Sequence, residues 1–375
     1  MISRHLYKAI KDACFKGKVV ILYGPRQTGK TTLCKALLSE FSEGHYLTCD
    51  EPDVRDALTN RSSTSLKQYL GNASLVVLDE AQRVKNIGLT LKLLHDHYPE
   101  LQIIATGSSS FELANDISEP LTGRKVEFHL LGISVEEFSN YTSAAEMDRL
   151  LERRLIYGMY PDIVLTKGPE IVTRLKELST SYLYKDVLGF GNLKRPEFLE
   201  KLLQALALQV GNEVSYLELG QLLGIDKNTI SSYIQILEKA FIVFRLPSLS
   251  RNLRNEIKKY RKIYFYDNGI RNTLINNFNP LSLRQDTGSL WENFMIAERV
   301  KWAHNHQHYC NRFFWRTHTQ QEIDYIEEFS GHLYAFEFKW TAKRKFSIPP
   351  AFSSHYPNST YHVITPQNYR SFLNP

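Results

Sequence analysis

Apolar residues in the first third of the chain fall in short, nearly unbroken runs: Val19-Val20-Ile21-Leu22-Tyr23, Leu75-Val76-Val77-Leu78 and Leu101-Gln102-Ile103-Ile104-Ala105. Runs of this kind predict parallel strands buried on both faces. Helix-period segments separate them, so residues 1–140 are expected to form an α/β domain with a parallel sheet and right-handed crossovers. Residues 145–275 turn to helical spacing, as at Leu202, Leu203, Leu206 and Val210. Residues 285–375 are mixed, with a helix over 290–301 followed by aromatic-rich strands, which predicts an α+β domain.

Within the helical region, residues 215–240 have the pattern of a helix-turn-helix. Leu219, Leu222 and Leu223 make one apolar face, Gly224 supplies a break, and Asp226 can cap a second helix whose inner face is Ile230, Tyr233, Ile234 and Leu237. That helix leaves Lys227, Asn228, Ser231 and Ser232 outward, residue types that contact phosphates and base edges. A basic run follows, including Lys258, Lys259, Arg261 and Lys262 with tyrosines interleaved. As a wing hairpin it could lie along a nucleic-acid backbone; as a solvated face it would bind nothing.

The first strand runs directly into Gly24-Pro25-Arg26-Gln27-Thr28-Gly29-Lys30-Thr31-Thr32, which contains the pattern G-x-x-x-x-G-K-[ST]. The glycines let successive backbone N–H groups converge on phosphate oxygens, and the helix opening at Lys30 adds its positive end. Lys30 is expected to reach the β- and γ-phosphates of ATP and Thr31 to meet Mg2+. The second strand ends in Asp79-Glu80, one acid to hold the magnesium and the other to orient and deprotonate water. After the third strand, Thr106 and Ser108 are both candidates to contact the γ-phosphate or the lytic water, against a simple strand-to-turn cap. Arg124, in Leu121-Thr122-Gly123-Arg124, is a candidate arginine finger for a neighbouring subunit's nucleotide, against an intramolecular salt bridge.

Composition narrows the setting. The 375 residues are 43% hydrophobic and 23% charged, and no run approaches the roughly 18 apolar residues that span a bilayer, so no membrane partner is expected. The four scattered cysteines have no pairing or zinc-ligand spacing, which fits a reducing cytoplasm. A formal charge of +6 permits a nucleic-acid partner without requiring one.

The C-terminal region carries Glu292 on its helix, Asp324 in Glu-Ile-Asp-Tyr-Ile, and Glu337-Phe338-Lys339 on a strand. The order E…D…ExK resembles the PD-(D/E)XK nuclease core. In that chemistry Glu292, Asp324 and Glu337 hold a metal, and Lys339 positions water or stabilises the phosphorane.

Together with Leu-Asp-Glu-Ala-Gln, Thr-Gly-Ser-Ser-Ser, Glu136-Glu137-Phe138, Tyr157-Gly158-Met159-Tyr160-Pro161, Tyr182-Leu183-Tyr184-Lys185-Asp186-Val187 and Tyr264-Phe265-Tyr266-Asp267-Asn268-Gly269, the phosphate loop resembles a family of bacterial and archaeal AAA-type P-loop ATPases with a characteristic C-terminal domain. The resemblance implies an ATPase domain, a winged-helix middle and a nuclease-like end. Three functions follow as expectations: an ATPase acting on DNA, a protein-remodelling ATPase with an inert nuclease-like scaffold, or an ATP-gated nuclease. An arginine finger would further imply a homo-oligomer.

Overall fold

The computed structural model describes residues 2–108, 117, 119–182, 187, 196–249, 261–341 and 347–374. They form two compact units. One comprises Met1–Ile133, Lys239–Phe241 and His304–His306; the other comprises Ser134–Glu238, Ile242–Ala303 and Gln307–Pro375. The regions expected as a helical domain and as an α+β domain thus lie together in the second unit.

In the first unit five parallel strands, β1 (Val19–Tyr23), β2 (Gly44–Thr48), β3 (Leu75–Asp79), β4 (Gln102–Gly107) and β5 (Lys125–His129), are ordered β2-β3-β4-β1-β5. Strands β1, β3 and β4 are buried at every position, as their unbroken apolar runs require. Helices α1 (Leu6–Ala13), α2 (Lys30–Leu38), α3 (Pro52–Leu58), α4 (Ser63–Leu70) and α5 (Ile87–His97) accompany the sheet. Leu6 and Ile10 of α1 and Leu33, Cys34 and Leu37 of α2 share one core with Val20, Leu22, Leu75 and Val77. This is the fold of a P-loop nucleotide hydrolase. Because the strands are parallel, Gly24, Glu80 and Ser108 all emerge at the same carboxyl edge.

The second unit begins with α6 (Val135–Tyr141), α7 (Ala144–Arg149), α8 (Leu151–Tyr157), α9 (Pro161–Leu165), α10 (Glu170–Tyr182) and α11 (Pro196–Leu208). Ser134 opens α6 with a capping box: its hydroxyl accepts from the Glu137 N–H at 3.1 Å while Glu137 Oε2 accepts from the Ser134 N–H at 2.9 Å. The Glu136-Glu137-Phe138 motif is thereby accounted for by helix initiation. Next come α12 (Tyr216–Leu223), α13 (Lys227–Lys239) and an antiparallel pair, β6 (Val243–Pro247) and β7 (Arg261–Phe265).

After α14 (Asn268–Leu274), α15 (Thr287–Asn305) packs with a four-stranded sheet ordered β11-β10-β9-β8. These strands are β8 (Asn311–Arg316), β9 (Glu322–Phe329), β10 (His332–Phe338) and β11 (Ser359–Ile364). Two short helices, α16 (Pro350–His355) and α17 (Tyr369–Leu373), complete the unit. Helix α15 is buried on almost every side, with Leu290, Trp291, Phe294, Met295, Ala297 and Val300 inside. Its polar residues must therefore find partners in the interior.

Two of the motifs that suggested a family meet here. Buried Asp267 accepts from the N–H groups of Met159 (2.7 Å), Gly269 (2.8 Å) and Ile270 (3.2 Å). A Cβ on Gly158 would stand 2.0 Å from Asp267 Oδ1, and one on Gly269 would stand 2.1 Å from the Tyr157 carbonyl oxygen. Both glycines are there because backbone passes too close for any side chain. The motifs therefore have a structural explanation in joining α8 to α14.

Candidate functional site

The phosphate loop is built from β1 downward. A Cβ on Gly24 would lie 2.1 Å from the Leu130 carbonyl oxygen, so only glycine lets the chain leave the strand here. Gly29, at φ 94°, turns the chain into α2. Buried Lys30 donates from Nζ to the carbonyls of Gly24 (2.7 Å) and Pro25 (2.9 Å), and Thr28 Oγ1 donates to Pro25 O (2.8 Å). Thr28 is buried, Arg26 and Thr31 are half-buried, and Gln27 and Thr32 are exposed. Arg4, which the sequence did not single out, braces the loop: its guanidinium donates to Thr28 O (2.6 Å) and Leu131 O (2.7 Å).

The acids arrive from β3. Asp79 Oδ2 accepts from Thr31 Oγ1 at 2.7 Å and from the Tyr46 hydroxyl, while Oδ1 accepts from Thr106 Oγ1. Thr106 Oγ1 in turn accepts from the Glu80 N–H at 3.1 Å. Glu80 has φ 55°, and its Oε2 accepts from Gln82 Nε2 at 2.7 Å; Gln82 also reaches Ser108 Oγ at 3.4 Å. Lys30, Thr31, Asp79, Glu80, Thr106 and Ser108 thus meet at one sheet edge. The donor set is hard oxygen, a hydroxyl and a carboxylate already in contact, beside an ammonium and a helix N-terminus; it fits Mg2+ with a polyphosphate. Tyr46 and Gln82 are additions that sequence spacing did not flag. Burial and the neighbouring Asp79 raise the Tyr46 phenol's pKa, keeping it a hydrogen-bond donor.

Arg124 does not join this edge. It immediately precedes β5, and its carbonyl accepts from the Val19 N–H, placing it at the amino end of the sheet, a strand length from the loop. Its Nε donates to Asp96 Oδ1 at 2.7 Å. The geometry shows the intramolecular salt bridge and keeps Arg124 away from this chain's own phosphate loop; a role on a neighbouring subunit's nucleotide stays an expectation.

Comparison with known proteins decides what this edge belongs to: residues 16–139 match the family model described as an AAA domain. This part of the chain is an AAA-type P-loop domain. Residues 148–281 and 287–373 match two domains of unknown function, DUF8612 and DUF4143. Among relatives, the uncharacterized protein Rv2008c of Mycobacterium tuberculosis is 28% identical over 336 residues, covering 89% of this chain and 73% of the relative. The uncharacterized protein MJ1544 of Methanocaldococcus jannaschii is 25% identical over 319 residues, 79% of this chain and 69% of the relative. Among solved structures, the Walker-type ATPase PABY2304 of Pyrococcus abyssi superposes with a TM-score of 0.51 at 16% identity, covering 73% of this chain and 96% of that one. At that identity the likeness establishes the fold alone.

Downstream of the AAA-type domain, α12 and α13 are the two expected helices, joined by a short glycine turn. Gly224 adopts φ 68° between them, and Asp226 Oδ1 accepts from the N–H groups of Asn228 (2.8 Å) and Thr229 (3.2 Å). Ile230, Tyr233, Ile234 and Leu237 are buried; Lys227, Asn228 and Ser232 are exposed and Ser231 half-buried. Leu222 is a correction: it is 68% exposed rather than part of the buried face. Lys258 and Lys259 lie outside the described residues. Arg261 lies over the Tyr216 ring, 4.9 Å from its centroid.

Lys262 is the larger correction. Read from sequence as an exposed cation of the wing, it is 1% exposed, with Nζ 3.0 Å from Glu292 Oε1 and 2.5 Å from Glu322 Oε1. Its neighbours are the C-terminal carboxylates. Glu292 Oε1 also accepts from the Tyr264 hydroxyl at 2.6 Å. Asp324 Oδ2 accepts from the Phe338 N–H at 2.8 Å, and Lys339 Nζ lies 2.6 Å from Glu337 Oε1. Glu337 Oε2 is buried without a hydrogen-bond partner among the described residues. An unsatisfied buried carboxylate oxygen with Asp324 close by is the type of atom that takes a divalent cation, but Glu292, Asp324 and Glu337 do not bring three ligand atoms within 4.8 Å of one another.

Burial, with Asp324 close by, raises Glu337 to about 7, and burial likewise raises Glu292 to about 7. Burial also raises Asp324. It works against the charge of Lys262, yet Glu292, Asp324 and Glu322 hold its pKa above the ordinary lysine value. A pH dependence follows. Between 4.5 and about 7 the folded cluster keeps protons that the unfolded chain has released. Stability of the metal-free protein is expected to fall as pH rises through that window. Denaturant unfolding across it measures the slope, which Glu337→Gln should flatten; a profile that rises instead would contradict the raised values.

A second grouping of metal-type ligands, His308, Cys310 and Glu327, is already taken up. Both Glu327 oxygens accept from Arg299, at 2.8 and 2.7 Å.

Proposed function

We propose that the chain is a Mg2+-dependent ATPase that acts on DNA through its helix-turn-helix. The observation that carries the ATPase reading is the hydrogen-bond chain Thr31–Asp79–Thr106–Glu80 at the mouth of the phosphate loop. Lys30, now satisfied by two loop carbonyls, is placed to exchange them for β- and γ-phosphate oxygens. Thr31 and Asp79 would hold Mg2+, which supplies charge neutralisation at the phosphates. Glu80 takes the proton of the attacking water, held by Gln82 on one side and by its own N–H to Thr106 on the other. Ser108 is close enough to Gln82 to contact the same water or the γ-phosphate.

DNA action is supported by the exposed Lys227, Asn228 and Ser232 on the second helix of the pair. Its test is the ATPase rate with and without duplex, branched and single-stranded DNA at two salt concentrations. Stimulation that weakens with salt is expected, and Lys227→Glu should lower it and shallow its salt dependence. A rate indifferent to every DNA form would return the helix pair to a protein-binding role. A reducing, cytoplasmic setting fits the four free thiols. No helix among the described residues is long and apolar enough to cross a membrane. Self-association belongs to this reading too, with Arg124 the residue a neighbour's nucleotide would meet on release from Asp96.

A second reading is favoured by the carboxylate cluster. Glu292, Asp324 and Glu337 with Lys339 would hold a divalent cation and position water for phosphodiester cleavage. Mg2+- or Mn2+-dependent cleavage that disappears in Asp324→Ala supports it. Its absence on every substrate would leave the region an inert scaffold.

A further inference from the structure

One side chain from outside the phosphate loop fixes which way a loop peptide faces. Arg4, half-buried ahead of α1, spreads its planar guanidinium over two segments of backbone. Its Nη1 donates to Thr28 O at 2.6 Å, and its Nη2 donates to Leu131 O at 2.7 Å and to Gly132 O at 3.3 Å. The second segment is itself tied to the sheet, because the Leu130 N–H donates to the Tyr23 carbonyl at 2.8 Å. Thr28 O is thus held from a fixed anchor. In a planar trans peptide the C=O and the next N–H point in opposite directions, so this hold turns the Gly29 N–H away from Arg4. Gly29 sits at φ 94°, yet glycine takes either sign of φ at little cost, and its own conformation does not keep that peptide from turning over. The space beside it is open: an added Cβ would meet nothing within 4 Å.

We propose that Arg4 is a positioning residue of the phosphate loop, locking the Thr28–Gly29 peptide with its N–H toward the phosphates so that nucleotide meets a donor already aimed. The inference rests on the reading of residues 24–32 as an ATP site. A peptide turned over would present a carbonyl oxygen to the phosphates in place of an N–H, exchanging attraction for repulsion. A guanidinium suits the task because its donors lie in one rigid plane and reach both segments together. A lysine ammonium keeps the charge but not the fork. Arg4 acts through the backbone and touches no reacting atom. Its loss weakens ground state and transition state alike, because the Gly29 N–H faces the phosphates in both.

The test is displacement of a fluorescent nucleotide from the full chain by ATP and, separately, by inorganic pyrophosphate, beside steady-state hydrolysis. Arg4→Gln is expected to weaken both competitors about tenfold or more, the scale of one lost hydrogen bond to a charged acceptor, with kcat at saturating ATP within about threefold of wild type. Arg4→Lys is expected to fall between the two. Pyrophosphate carries no base or sugar, so a parallel loss locates the effect at the phosphates. A merely structural arginine would lower the unfolding midpoint of Arg4→Gln and leave both affinities alone. Should Arg4→Gln fail to fold, Arg4→Lys decides: weaker binding of both competitors supports the proposal, and wild-type affinity overturns it. Affinities within about twofold of wild type in folded Arg4→Gln, or a fall in kcat with affinity unchanged, overturn the proposal while the nucleotide site stands. No binding of nucleotide or pyrophosphate by the wild type overturns both.

Discussion

Glu80→Gln is expected to reduce ATP turnover by about a hundredfold or more, the scale of a lost general base, while ATP binding stays within a few fold of wild type. The substitution is nearly isosteric. The new amide oxygen can still accept from Gln82 Nε2, and the Glu80 N–H can still donate to Thr106 Oγ1. What it removes is a carboxylate able to take a proton from water. Asp79→Asn should behave differently. Asp79 accepts from Thr31, Tyr46 and Thr106, so an amide there upsets three hydrogen bonds and the Mg2+ contact together. Turnover and metal dependence would fall in step. Steady-state hydrolysis beside equilibrium binding of a fluorescent nucleotide separates the two variants. Turnover retained within threefold in Glu80→Gln would move the base elsewhere, with Ser108 and Gln82 the next groups at the edge.

The largest stability effect is expected at Gly269→Ala. Its Cβ would stand 2.1 Å from the Tyr157 carbonyl oxygen and 2.6 Å from the carbonyl carbon, and both are backbone atoms that no rotamer change can move. Relief requires separating α8 from α14, which also strains the three hydrogen bonds into Asp267. A loss of about 3 kcal/mol or more follows, as for other severe backbone clashes in a packed interior. Gly288→Ala is the matched control. It lies in α15 with nothing within 4 Å of the added methyl, so helix propensity alone should make it neutral or slightly stabilising. Denaturant unfolding of the two variants measures the difference. Equal midpoints would mean that the chain can open the contact between α8 and α14 without cost.

These two cases show where sequence is a sufficient guide. The phosphate loop is legible because its chemistry is contiguous: strand, glycines, lysine and threonine lie within fourteen residues, 19–32, and their spacing dictates the geometry. Asp79-Glu80 is legible for a related reason. A parallel strand buried on both faces has one functional end, and the residue types at that end announce its use. The helix pair could be read from period and capping, down to the Asp226 cap. Leu222 was misplaced because apolar identity alone does not say which side of a short helix faces inward.

Other features depended on packing between distant segments. Arg4 and Tyr46 reach the phosphate site from outside the loop, Arg4 from the start of the chain and Tyr46 from β2, and neither has a local signature. The Gly-Met-Tyr-Pro and Asp-Asn-Gly motifs, which carry the family resemblance, are needed where backbone meets backbone. Lys262 stood in a cationic run and took on that run's apparent exposure. Its actual surroundings are carboxylates 30 to 62 residues further along the chain, brought together by β7, α15 and β9.

By itself, then, the sequence determined the P-loop sheet, the acids at its carboxyl edge and the helix pair, because each is written in neighbouring residues under local steric rules. Only the tertiary structure decided that Arg124 is held by Asp96 and that Lys262 belongs to the acid cluster. The physical reason is the same for both. A charged side chain takes its role from the nearest opposite charge and from its access to water, and the fold sets both through segments far apart in the chain.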